Sequence, residues 1–201
     1  MPLLTLAHSV VTGQAGDVGI VFVSGNLALD YVGTLNERFS SRVEQLNTPA
    51  DFGAWLVRAA LVDRAPDVSE SDFTRAIKLR ETIFAVIARD IDQQSPRLTR
   101  TERLIINGAA AEPPPVATLT TSGRVVRAGD ANAGMSAIAR DVIALFDRDD
   151  GSVIKWCADE ACTHPFLDRS RGHRRRWCDM AGCGDRAKAA AYRSRKRSAL
   201  A

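Results

Sequence analysis

The chain has four cysteines, Cys157, Cys162, Cys178 and Cys183, spaced C-x4-C-x15-C-x4-C in the last third of its 201 residues. Two close pairs separated by a short loop is how a tetrahedral site collects four thiolates. Each pair grips one side of the ion while the intervening segment folds back. Such a set suits one zinc per chain, with each sulfur at about 2.3 Å. The other use of paired cysteines is two disulfides, but no export signal is visible and cytosolic thiols stay reduced. Iron is the weaker metal alternative. His164 sits beside the set, yet four-coordinate zinc has no place for it once all four sulfurs bind. Trp156 and Trp177 each precede a cysteine and are expected to cover the metal rather than read bases.

The flanking segments must position these ligands. Pro165-Phe166-Leu167-Asp168 leads into a turn at Arg171-Gly172-His173, and Arg174-Arg175-Arg176-Trp177 leads out, which reads as a hairpin between the pairs. After Cys183, the run Gly184 to Arg193 is rich in helix formers. Knuckle, hairpin and a helix that starts at the last ligand make a treble-clef-like plan. At about 100° per residue, Arg193 and Arg197 fall within about 20° of Arg186, and Arg195 points to the opposite side. Such a stripe of guanidiniums suits phosphates or guanine edges. With the hairpin arginines and flanking lysines, the candidate nucleic-acid residues are Arg174, Arg175, Arg176, Arg186, Lys188, Arg193, Lys196 and Arg197. The bland alternative is a merely soluble basic helix. Ala187, Ala190 and Ala191 form a narrow face able to lie close to another surface.

The run Trp177-Cys178-x-Met180-x-x-Cys183-Gly184-Asp185-Arg186-Ala187-Lys188, with Phe166-Leu167-Asp168 before it and Tyr192-Arg193-x-Arg195 after it, resembles the CGNR zinc finger. In that family the finger follows an ABATE domain. The resemblance implies a stress-induced transcription regulator whose finger meets DNA. This chain departs from the motif at Asp185, which replaces an asparagine. An aspartate suits the first turn of a helix but is unfavourable beside a phosphate.

Composition is that of an ordinary globular protein, with 45% hydrophobic residues and a net charge of +3. The charge is unevenly divided. Residues 1–150 carry 15 Lys and Arg against 19 Asp and Glu, whereas residues 151–201 carry 12 against 5. Four thiolates on a dication bring the tail to about +5. An acidic body with a basic tail points to a nucleic-acid-binding tail. No stretch reaches the length of a membrane span. No Lys or Arg precedes Arg38, so the apolar start Pro2–Ala7 lacks the positive region of a secretory signal. A cytoplasmic location is expected, without membrane partners.

Along the chain, Val18–Val23 reads as a strand, after a loose residue 1–17 segment. Leu27 to Asn36 follows as a helix capped by Asn26, with Leu27, Asp30, Tyr31, Thr34 and Leu35 on one face. This run resembles the LDF-x-NT signature that opens the ABATE domain, with Tyr31 for its phenylalanine and Gly33 for its asparagine. Thr48-Pro49-Ala50-Asp51 is a capping box for a helix presenting Phe52, Trp55, Leu56, Ala59 and Val62. Ser69–Asp72 opens a long helix with Phe73, Ile77, Phe84, Ile87 and Ile91 as its stripe, and with Arg80 inside that stripe. Asp30 and Arg80 are thus two charges on apolar faces. They are expected to form a structural pair, or else to line a ligand pocket. Thr101–Ala110 reads as a helix, and its Asn107 matches a recurrent ABATE asparagine. Val116–Thr120 and Arg124–Ala128 form a hairpin, and Met135, Ile138, Val142, Leu145 and Phe146 stripe a last helix.

The expected class is α+β. A mainly helical α/β domain with a short sheet occupies residues 1–150, and a treble-clef-like finger occupies 151–201, joined at Asp147–Gly151. The ABATE resemblance spans about 18–150 and the finger resemblance 156–197. The expected function is a zinc-finger DNA-binding transcriptional regulator, with a small-molecule effector bound through the N-terminal domain. The alternative is an RNA-binding or protein-interaction module. A single finger binds weakly alone, so a homodimer through 18–150 is expected to support it. No nucleophile elbow, H-E-x-x-H or phosphate loop is present, and a closed four-sulfur site leaves no position for substrate, so no enzyme is expected.

Overall fold

A computed structural model of the chain describes residues 21–93 and 97–198. The expected 1–17 segment and residues 18–20 of the expected strand lie outside these residues. Residues 21–23, the described part of the expected strand, belong to no strand. The element order is α1 (Leu27–Val32), β1 (Leu35–Asn36), β2 (Val43–Glu44), α2 (Pro49–Arg58), α3 (Glu70–Gln93), α4 (Arg100–Ala111), β3 (Val116–Leu119), β4 (Val125–Ala128), α5 (Ala131–Phe146), β5 (Val153–Trp156), β6 (Pro165–Asp168) and α6 (Asp185–Ser198). One wide π-type turn, Met180–Gly184, leads into α6. The strands form three separate antiparallel pairs, β1–β2, β3–β4 and β5–β6. The α+β expectation holds: helices dominate, the sheets are short, and the cysteines cluster in a finger.

Local chemistry fixes most helix starts. Asn26, Thr48, Thr99 and Asp130 each accept a backbone N–H of the first turn, and Thr48 and Thr99 complete reciprocal capping boxes with Asp51 and Glu102. Helix α1 is shorter than expected. It ends at Val32 because Gly33 follows, and Thr34 Oγ1 turns back to Tyr31 O at 2.7 Å. From Leu35 the chain makes the small β1–β2 hairpin. Its turn places Glu37 and Arg42 at φ 49° and 50°. Left-handed backbone costs a non-glycine residue about 1–2 kcal/mol, so the surrounding contacts must hold the turn.

The core packs α1, α2, α3 and α5 around Tyr31, Trp55, Phe52, Leu29 and Ile138. Tyr31 stacks at a tilt on Trp55, with ring centroids 4.9 Å apart, and donates its hydroxyl to Ala76 O at 2.7 Å. Burial pushes the Tyr31 phenol far above its ordinary value, so it stays a neutral donor. The buried stripe of α3 runs through Ala76, Leu79, Ile83, Val86 and Ile87. Of the expected stripe only Ile87 is fully buried; Phe73, Ile77, Phe84 and Ile91 border it, because α3 is covered on several sides.

Arg80 is 2% exposed, and its partner is not Asp30. Its two terminal nitrogens meet both oxygens of Glu44 at 2.7 Å, and Nε meets Glu81 at 2.9 Å. Glu81 also takes Arg38 at 2.6 Å, so the charges alternate along a chain from Glu44 to Arg38. Asp30 instead accepts Val23 N and Ser24 N at 2.9 and 2.8 Å. The expected pair fails because Glu44 arrives from β2, outside either helical stripe.

Breaking one side of a buried pair costs about 3–5 kcal/mol. Glu44→Ala should therefore lower stability by about 3 kcal/mol, with Glu81 limiting the loss. Chemical denaturation of Glu44→Ala, Arg80→Met and the double variant checks this. Coupling should make the double loss smaller than the sum.

Candidate functional site

The metal ligands come from two places. Strands β5 and β6 pair in the register Ile154↔Leu167 and Trp156↔Pro165, and the first cysteine pair lies in the connection between them. Cys157 N donates to His164 O at 3.1 Å and Cys162 N to Asp159 O at 2.9 Å, closing a tight knuckle. Cys178 precedes the π-type turn and Cys183 lies within it. Asp179 caps that turn, its carboxylate accepting Gly182 N at 3.0 Å and its carbonyl accepting Gly184 N at 2.9 Å. The expected hairpin between the pairs does not form; the hairpin found instead brackets the first pair. Pro165–Asp168 is a strand, but it pairs backwards with Val153–Trp156, and Arg174–Trp177 is a loop.

The four sulfurs lie within 4.8 Å of one another. Cys162 and Cys178 sulfurs are 3.7 Å apart, and those of Cys178 and Cys183 are 3.6 Å apart. A tetrahedron with arms of about 2.3 Å has edges of about 3.8 Å, so the donors fit zinc. The distances exclude disulfides, whose sulfurs lie about 2.05 Å apart. Donors also point at the sulfurs as they do at thiolates: Cys178 N reaches Cys157 Sγ at 3.5 Å, and Arg186 Nη2 reaches Cys183 Sγ at 2.9 Å. Hydrogen bonding to the neighbouring sulfurs pushes the Cys178 thiol up. Cys157, Cys162, Cys178 and Cys183 bind one zinc ion, and the closed set makes it a structural one.

The surroundings assign several residues to the site's framework. Phe166 and Trp177 pack against the cysteines. Trp156 does not: it turns to α3, stacking near Phe84 at 5.9 Å and donating Nε1 to Asp92 at 2.9 Å. Strand alternation sends it away from the metal. His164 is no ligand. Its ring is buried against Gly33, and burial holds its pKa down to about 4. Lys155 Nζ bonds Asp168 at 3.1 Å and His173 O at 3.0 Å, tying down the loop before Cys178. Arg175 lies over the Phe166 ring at 4.5 Å, donates to Val23 O at 2.7 Å, and also reaches Cys178 O. Arg186 Nε holds Asp159 at 2.8 Å. Arg175 and Arg186, both in the candidate nucleic-acid set, thus act inside the finger.

The other candidate cations face outward. Arg174, Arg176, Lys188, Arg193, Lys196 and Arg197 are exposed. Arg176 stacks on Trp177 at 5.2 Å, and Lys188 meets Asp185 at 3.1 Å. Tyr192, 62% exposed, stands between Lys188 and Lys196 at intervals of four; the spacing is legible in the sequence, but attention to charge alone passes it over. Asp159 and Lys155 escape a reading of the sequence as well. No motif marks them, and their roles depend on residues 13 to 27 positions away. A cavity of 270 Å³ lies where the finger meets the helical domain, lined by Phe22, Val23, Gly25, Asp30, Arg175, Cys178 and Asp179. Asp30 reaches it; Arg80 is not among its lining residues.

These features define a four-thiolate zinc finger docked on a mainly helical domain. Residues 25–149 match the ABATE family, described as a putative stress-induced transcription regulator, and residues 154–196 match the CGNR zinc finger. The chain belongs to the ABATE family and carries the CGNR finger at its C-terminal side. No curated protein matches it. Among the described residues no helix is long and apolar enough to cross a membrane.

Purified protein should hold about one zinc per chain, and Cys178→Ser should lose it. Arg186→Ala should keep all four ligands yet weaken zinc about ten-fold, the low end for a lost outer-shell partner. Competition against a chromogenic chelator measures both.

Proposed function

We propose that this protein is a DNA-binding regulator that grips phosphates with α6 and the loop arginines of its finger. The observation that carries the reading is α6 itself. It has no buried residue and carries one acidic residue, Asp185; Asp159 takes Arg186 and Asp185 takes Lys188, and Arg193, Arg195, Lys196 and Arg197 have no ion pair among the described residues. A helix with no buried residue is not held by a core, and its many cations suit an oppositely charged partner. The zinc site supplies its rigid root. With Arg175 and Arg186 committed to the finger, the working set is Arg174, Arg176, Lys188, Arg193, Lys196 and Arg197. The cavity beside Asp30 and Arg175 supports a small-molecule effector site. Its wall includes Cys178, so an occupant would bear directly on a zinc ligand.

Fluorescence anisotropy across a salt series tests the DNA reading. Removing one cation from the phosphates it neutralises flattens the salt slope by about one unit. Arg193→Ala should do so and weaken binding to every sequence. Arg195→Ala, on the opposite side of the helix, should do much less. Equal effects would mean that only net charge matters and would sink the oriented helix. Tighter binding to matched RNA would reassign the ligand.

A further inference from the structure

Phe39 is the most exposed of the large apolar side chains among the described residues, at 84%. It stands in the turn of the β1–β2 hairpin, and that turn is firmly built. Ser40 N and Arg42 N both donate to Glu37 O, at 3.0 and 2.9 Å. The preceding residue, Arg38, is buried and fixed three ways: by Glu81, by Val32 O at 3.2 Å and by the Phe84 ring at 3.9 Å. A fixed turn therefore holds an aromatic ring in water.

The turn adjoins the finger. Arg38 N donates to Thr163 Oγ1 at 3.2 Å, and Thr163 N donates to Asn36 Oδ1 at 3.1 Å. Thr163 follows the ligand Cys162, and Asp159 of the same knuckle holds Arg186 at the root of α6. The ring is thus presented next to the first knuckle, whose Asp159 holds the root of the basic helix. Exposed Arg42 lies three residues beyond Phe39 in the same turn. The nearby carboxylates of Glu44 and Glu81 are engaged by Arg80 and Arg38, which leaves half-buried Glu37 as the opposing charge in the turn.

We propose that Phe39 stacks on a nucleobase of the nucleic acid held by the finger, with Arg42 at an adjacent phosphate. This rests on the reading of the finger as a nucleic-acid binder. An aromatic side chain takes the face of any base, so the interaction adds affinity without demanding a sequence. The base can come from a single strand or from an unstacked duplex step, where apolar side chains enter as wedges.

The test uses the zinc-loaded full chain with a fluorescein-labelled oligonucleotide of more than about 16 nucleotides, single-stranded and as its duplex. Phe39→Ala and Phe39→Leu should each weaken binding about ten-fold at every salt concentration and leave the salt slope unchanged. Phe39→Tyr, which keeps the π face, should bind as the wild type does. Weakening on the single strand alone assigns an unpaired base, and weakening on the duplex assigns a wedged step. Wild-type binding by Phe39→Ala and Phe39→Leu on both probes, alongside weakened Arg193→Ala, overturns the proposal and leaves the finger reading standing. A changed sedimentation coefficient in that case would give the ring to a second copy of the chain. Absence of binding by the wild type removes both readings.

Discussion

The pairing of β5 with β6 is the constraint on which the rest of the molecule depends. Neighbouring side chains along a strand point to opposite faces. Ile154 and Leu167, directly opposed in the register, enter the large core of the helical domain, while Phe166 packs on the cysteines. One short hairpin therefore serves two cores. Backbone hydrogen bonds reinforce this, since Leu167 N donates to Ser24 O at 2.8 Å and Ser24 N is held by Asp30. The carboxylate of the ABATE signature thus orders the segment on which the finger's second strand rests. Metal binding and the packing of the helical domain are linked through this hairpin.

Charge is sorted by depth. Several acidic residues in and beside the finger are engaged within the protein: Glu44 and Glu81 on Arg80 and Arg38, Asp168 on Lys155, and Asp159 on Arg186. Such pairs contribute less to net stability than their short distances suggest, because both ions lose water. Their effect is positional, fixing loops that no apolar packing holds. Burial opposes ionisation of Asp168, but bonds from Ser170 and Lys155 prevail and hold its carboxyl down to about 2. The cations of α6 beyond Lys188 have no such partners among the described residues. They leave a field that points away from the body.

Much of this is legible in the sequence because it is local. Four cysteines in two pairs announce a metal whatever the topology, and capping residues at 48 and 99 mark helix starts by their own chemistry. The pairing of β3 with β4 follows from a turn signal between two β-branched runs. What fails depends on partners distant in the chain. Glu44, in a two-residue strand with no periodic pattern, takes the arginine expected for Asp30. Trp156 looks like a metal cover until its strand gains a partner and its side chain is turned to α3. The spacing puts the finger's hairpin in the wrong loop because it matches Pro165–Asp168 to the residues after it, while the strand's partner is Val153–Trp156 before it.

Gly33 shows how far the two regions are fitted to each other. It departs from the ABATE signature, which has asparagine there, and its φ of −67° suits any residue, so backbone freedom does not explain it. Space does. A Cβ at position 33 would lie 1.9 Å from His164 Nε2 and 2.2 Å from Cε1, and the histidine is buried. The backbone of His164 is held, because its carbonyl accepts Cys157 N within the first knuckle. An asparagine at 33 would therefore require the His164 ring to leave its place against this residue. The departure in the N-terminal signature is matched by a side chain of the finger, as required if the knuckle is seated on α1 rather than tethered beside it.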